Sequence, residues 1–187
     1  MQFFKLGNFS FGVFFIEVFS IVFGVLLALG GNEIRESYNE QQRVDAAMLS
    51  IKTEMTGNKN FIENRLPYYQ SVVDTLEQVM KKHGKNASFY EVKIPGFQGI
   101  NPPLLRDSSL QTAIATQAFA SFEFKKADQI SMVYSFQSTY LKWIDIYLNA
   151  FAVKDKPTIG MLNNLFQEMV KVGSELSATY QQTLDSM

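Results

Sequence analysis

The stretch FSFGVFFIEVFSIVFGVLLAL, residues 9–29, decides how this chain is read, because every residue in it except Glu17 is apolar or small. As an α-helix it would be about 31 Å long at a rise of ~1.5 Å per residue, matching a bilayer hydrocarbon core of about 30 Å. A cleaved secretory leader is the competing explanation, since Ala28-Leu29-Gly30 has the small-x-small spacing of a cleavage site. The length of the apolar run and a basic region reduced to Lys5 favour a retained anchor. The expected fold class is all-α, with a single-pass N-terminal transmembrane helix and its tail over 1–31. An antiparallel helical bundle follows over 32–187, interrupted by an irregular insertion at about 85–106.

Advancing about 100° per residue from Glu17 brings Ser20, Gly24, Ala28 and Gly31 within about 60° of its meridian. Phe15, Phe19, Val22, Leu26 and Leu29 fall on the opposite face, bulky and suited to lipid. Small-xxx-small spacing lets two helix backbones approach closely, and packing of that kind drives association where hydrophobicity no longer discriminates. Glu17, Ser20, Gly24, Ala28 and Gly31 are therefore the expected transmembrane association face. An acid at that depth is costly unless it is neutral, paired or facing a cavity. Three roles stand for Glu17: a member of a helix–helix interface, a side chain reaching the headgroups, or a proton or cation site in an oligomeric pore.

Glu17, Phe19, Gly24, Ala28, Leu29, Asn32 and Glu36 make the pattern Glu-x-Phe-x4-Gly-x3-Ala-Leu-x2-Asn-x3-Glu. In this the chain resembles a family of uncharacterised bacterial single-pass membrane proteins with a helical soluble domain. The family usually places Trp shortly after the Asn, where this chain has Ile34, and usually has a more basic N-terminus. The resemblance implies the bacterial inner membrane, a cytoplasmic N-terminus and a periplasmic C-terminal domain, and carries no biochemical activity with it. Lysine and arginine counts leave the orientation nearly even, with Lys5 on one side and Arg35 and Arg43 on the other.

The 187 residues carry a formal charge of −1, which points away from nucleic acid as a partner. No cysteine is present, so thiolate catalysis, disulfides and the usual structural zinc sites are excluded. His83 is the single histidine, with no second imidazole for a metal or a nucleophile relay. Neither a Gly-rich phosphate loop nor a Gly-x-Ser-x-Gly elbow occurs. No catalytic, cofactor-binding or metal-ligating residue is assigned, and no cofactor is expected. Glu33, Glu36 and Glu40 form an acidic ridge that reads as a solvated face. The expected partners are the lipid bilayer and, through the transmembrane helix, a second copy or other membrane-protein subunits.

Beyond the anchor a helix is expected to continue, weakened at Gly30-Gly31 and kinked or restarted at Pro67. Val44, Met48, Ile51, Met55 and Ile62 mark one apolar stripe, and Val72, Val73, Leu76, Val79 and Met80 a second that ends near Gly84. Lys81, Lys82, His83 and Lys85 crowd that end, where cations complement the helix dipole. The punctuated segment from Lys85 to Arg106 is rich in apolar residues, so it is expected to pack on the helices or on a partner, with Val92 and Ile94 in a short strand. Ser108 through Gln111 reads as a capping box for a helix to about Ala120. A long helix after Ser121 carries Tyr134, Tyr140, Trp143 and Tyr147, expected as core or interface, and a last helix opens at Lys156-Pro157-Thr158 with the proline in its first turn.

Overall fold

A computed structural model describes residues 11–153 and 156–187. They form four α-helices: α1 over Phe11–His83, α2 over Ser108–Ala115, α3 over Phe124–Val153 and α4 over Ile159–Ser186. A 3-10 turn at Ala118–Ser121 separates α2 from α3. Lys5, Phe9 and Ser10, which the sequence reading used, lie outside the described residues. By packing, the chain divides into two compact units, Met1–Asp45 and Ala46–Met187, and α1 contributes to both. The apolar run ends near Gly31, whereas packing of the second unit begins at Ala46.

Neither expected weak point ends α1. The helix runs through Gly30-Gly31, where two glycines cost about 1 kcal/mol each but are flanked by the good helix formers Leu26, Leu27, Ala28 and Leu29 before and Glu33, Arg35 and Glu36 after. It also runs through Pro67, which lacks the N–H that would bond the Glu63 carbonyl, a loss of about 3 kcal/mol. Tyr69, Val72, Val73 and Leu76 follow on the buried face. At about 1.5–3 kcal/mol for each large apolar side chain, their burial outweighs the proline penalty. The helix stops at His83, and Gly84 takes the left-handed conformation (φ 79°) while its amide bonds the Met80 carbonyl.

In the second unit the apolar stripes of α1, α3 and α4 meet, with Ile51, Met55, Ile62, Ile130, Ile144 and Phe166 almost fully buried. Side-chain pairs fix the directions. Asn58 with Tyr180, Glu63 with Ser177 and Tyr69 with Phe166 make α1 and α4 antiparallel. Gln129 with Ser186 and Tyr140 with Met169 do the same for α3 and α4. Glu54 with Tyr134 and Asn58 with Gln137 make α1 and α3 parallel. A parallel pair cannot be joined by a tight turn, so the segment between α1 and α3 has to travel back along the bundle.

The irregular insertion makes that return journey and packs on its own helices. Tyr68 and Tyr69 on α1 donate to the carbonyls of Gly99 (2.5 Å) and Asn101 (2.6 Å), and the Gln98 amide donates to the Tyr68 hydroxyl (3.0 Å). Phe97 meets Phe166 edge-on, and Phe89 meets both Phe97 and Phe151. Gly96 and Gly99 supply positive φ values of 74° and 101° where the path turns. The expected Val92–Ile94 strand does not form; the Ile94 carbonyl accepts from the Phe97 amide in a turn instead. An isolated antiparallel bridge joins Ser88 to Thr158 instead.

Two helix starts also differ from expectation. Ser108 lies inside α2 rather than at its N-cap, and Asp107 at the cap makes no side-chain capping bond. In α4 Pro157 precedes the helix, and Thr158 is the cap, its hydroxyl accepting from the Met161 amide at 3.3 Å.

Candidate functional site

The apolar part of α1 exposes its side chains: the large hydrophobic residues from Phe14 to Leu29 are between 40% and 69% accessible. This helix is long and apolar enough to cross a membrane. Glu17, Ser20, Gly24, Ala28 and Gly31 are all exposed and share one face of it. A Cβ added at Gly24, Gly30 or Gly31 would meet nothing within 4 Å, so packing within the chain does not require glycine at these positions.

The second unit holds a buried polar network that the sequence reading missed. Glu54, only 9% exposed, accepts from the Ser108 hydroxyl (2.7 Å), the Ser109 amide (3.0 Å) and the Tyr134 hydroxyl (2.7 Å). It supplies from α1 the side-chain cap that Asp107, at the N-cap of α2, does not make. Burial opposes the charged form of Glu54, but bonds from Ser108, the Ser109 amide and Tyr134 together hold its carboxyl below the ordinary value of 4.5. One turn further on, Asn58 Oδ1 accepts from the Arg106 amide (2.9 Å) while Nδ2 donates to the Arg106 carbonyl (2.7 Å) and to Gln137 Oε1 (3.0 Å). Tyr180 donates to the same Gln137 oxygen, and Gln137 Nε2 returns a bond to the Arg106 carbonyl at 3.1 Å. Asn58 of α1 and Gln137 of α3 thus bond the backbone of Arg106 directly, and Tyr180 of α4 joins them through Gln137.

Burial raises the Tyr69 phenol to about 12 and pushes Tyr134, Tyr140 and Tyr180 higher still. These hydroxyls remain protonated donors at neutral pH, as their hydrogen bonds require. A cleft of about 820 Å³ opens beside the network, lined in part by Thr53, Glu54, Phe61, Leu105 and Ser109. Both carboxylate oxygens of Glu54 are already engaged by protein donors, which suits an anchoring role rather than proton transfer.

A second cleft, of about 750 Å³, lies where the end of α1 meets the start of α4. The segment after α1 clasps α4 here: the Phe89 amide bonds the Pro157 carbonyl (2.8 Å), Ile159 bonds Ala87 (3.0 Å) and Gly160 bonds Lys85 (3.0 Å). The approach is so close that a Cβ at Gly160 would sit 2.8 Å from the Lys85 carbonyl oxygen.

Among the described residues no group of three or more His, Cys, Asp or Glu side chains is placed to hold a metal ion. Glu33, Glu36 and Glu40 are exposed along α1, and His83 is exposed at its end. Of the aromatic series on α3, Tyr134 and Tyr140 are core residues, while Trp143 and Tyr147 are half-buried with rings 4.4 Å apart. Comparison with protein-family models, with curated proteins and with solved structures finds no match to this chain.

Proposed function

We propose that this is a membrane-anchored, non-catalytic interaction protein that docks to a second transmembrane helix through the face made by Glu17, Ser20, Gly24, Ala28 and Gly31. The observation carrying the reading is the long exposed apolar surface of α1 between Phe14 and Leu29, which costs free energy in water and none in lipid. Glycine at position 24, with open space around it, has a use once another helix approaches. The partner helix belongs either to a second copy, making a scaffold, or to another subunit of a membrane complex. The resemblance of Glu17–Glu36 to the anchors of bacterial single-pass proteins supports an inner-membrane location with a periplasmic bundle.

Replacing Gly24 by isoleucine is expected to abolish association, read by cross-linking and native mass spectrometry in mild detergent. Assembly that survives Gly24→Ile would remove the docking reading, and recovery of the chain in the soluble fraction after cell lysis would remove the anchor itself.

A second reading, favoured by an acid exposed among apolar side chains, makes Glu17 the titrating group of an oligomeric channel or proton-transfer component. Glu17→Gln would then suppress proton flux in reconstituted vesicles at least about tenfold, equivalent to about 1.4 kcal/mol of barrier. Flux equal to that of the unsubstituted protein rejects this reading.

A further inference from the structure

Helix α3 is apolar on two sides. Its core face carries Ile130, Val133, Tyr134, Gln137, Tyr140 and Ile144. A second set, Met132, Phe136, Trp143, Ile146, Ala150 and Val153, is exposed or half-buried, with Met132 57%, Ile146 65% and Val153 83% accessible. With Thr139 included the spacing is four, three, four, three, four, three, the heptad period of a helix–helix seam. At about 100° per residue these positions fall within about 50° of one line along α3, roughly 130° round from the core face. Thr139 is the polar member, and its hydroxyl donates to the Ser135 carbonyl (2.9 Å), which leaves its methyl for packing. A solvated face of this length would carry charge, yet between Gln129 and Val153 only Lys142 and Asp145 are charged. Depletion of charge is the mark of an interface core, and a helix apolar all round is one that is covered all round. Trp143, its ring 4.4 Å from that of Tyr147, stands midway along the stripe as a central aromatic anchor.

The geometry points to this seam as a docking surface for a second copy of the chain, α3 against α3 in parallel, each layer of side chains meeting its counterpart. It rests on the transmembrane docking reading and deepens it by naming the second copy as the partner. A period of about 3.5 residues fits another α-helix rather than a flat surface. Among the described residues of the second unit, α1, α2 and α4 expose only Leu49 and Ile114 of their large hydrophobic side chains, so they offer no matching stripe. The stripe of α3 matches itself, and a two-fold pair brings one patch against the same patch. One lysine and one aspartate leave no net charge on the face to repel the copy. Copies docked through their anchors enter a bilayer in one direction, and α3 runs parallel to α1, which sets the parallel pairing. About three heptads are short for a free-standing pair, so the seam closes only while docked anchors hold two copies at high effective concentration.

No cysteine occurs in the chain, so a single introduced cysteine reports the approach of its own counterpart. Met132→Cys and Ala150→Cys, one near each end of the seam, are each expected to give disulfide-linked dimer when the full chain is oxidised in mild detergent. Ala152→Cys, exposed but about 150° round from the seam, is expected to give at least about tenfold less. Adding Ile146→Lys to Ala150→Cys sets two unpaired ammonium groups against the apolar seam. The disulfide yield is then expected to fall at least about tenfold, while native mass spectrometry still shows the dimer held by its anchors. Ile146 is exposed, so the fold of each copy does not depend on it. Dimers that form no disulfide at position 132 or 150, that link equally at 152, or that link at 150 despite Ile146→Lys overturn the seam and leave the anchor docking standing. Association with a different subunit alone overturns it too. Monomers throughout overturn the docking reading itself, and the seam with it.

Discussion

Glu54→Ala is expected to lower the unfolding free energy of the bundle by about 3 kcal/mol, the usual size when a buried, hydrogen-bonded charge is removed and its donors are left unmet. Trp143, half-buried on α3 and the single tryptophan, reports the transition by fluorescence during denaturant titration in detergent. The loss is large because three donors depend on one carboxylate: the Ser108 hydroxyl, the Ser109 amide and the buried Tyr134 phenol. With alanine there, α2 also loses the carboxylate that caps it, since Asp107 makes no side-chain capping bond. The same carboxylate sets an acid limit. Its pKa is lowered on folding, so its contribution is fully present above the unfolded value near 4.5 and is lost as pH falls through the folded value. Glu54→Gln should accordingly be less stable than the unsubstituted chain at pH 7, and the gap should narrow as pH falls below the ordinary value of 4.5 and close once the folded carboxyl is protonated. A constant gap down to pH 3 would show that the carboxylate charge is not what holds Ser108 and Ser109.

The second large effect is expected at Gly160. In Gly160→Ala the new Cβ meets the Lys85 carbonyl oxygen at 2.8 Å, a backbone atom that cannot swing aside. The clasp must open, breaking the Gly160–Lys85 bond and straining the neighbouring Ile159–Ala87 and Phe89–Pro157 bonds. A destabilisation of about 2 kcal/mol follows from overpacking and lost hydrogen bonding together. Hydrogen exchange localises it: amides of Phe89, Ile159 and Gly160 should lose protection, while those around Asn58 keep theirs. Gly57→Ala is the control, since its Cβ would meet nothing and alanine is the better helix former by about 1 kcal/mol. Equal protection at the clasp in both variants would mean that the Lys85–Gly160 approach is looser than the structure has it.

Much of the helical plan is visible in the chain because amphipathic periodicity reports burial directly. Ile159, Leu162, Leu165, Phe166, Met169, Leu176 and Tyr180 recur at helical spacing, and every one is buried in α4. The stripe at Ile51, Met55 and Ile62 is equally plain, and Glu54 and Asn58 interrupt it at the same spacing. Two polar residues on a core-facing stripe were the available sign of a buried network. What they bind was not available, because Arg106, Ser108, Gln137 and Tyr180 are brought to them by packing between distant segments.

By itself the sequence determined an all-α chain, an apolar helix long enough for a bilayer with Glu17 on its small-residue face, and the irregular character of residues 85–106. Local composition and period carry those properties, so no knowledge of neighbours is needed. Only the tertiary structure decided that α1 continues through Pro67, that α1 and α3 run parallel, and that Glu54 caps α2 from another helix. Each of these depends on free energy exchanged between residues far apart in the chain: burial outweighing a broken helix bond, a carboxylate replacing a missing cap. Such terms have no signature at any single position, because they exist only once the helices have packed.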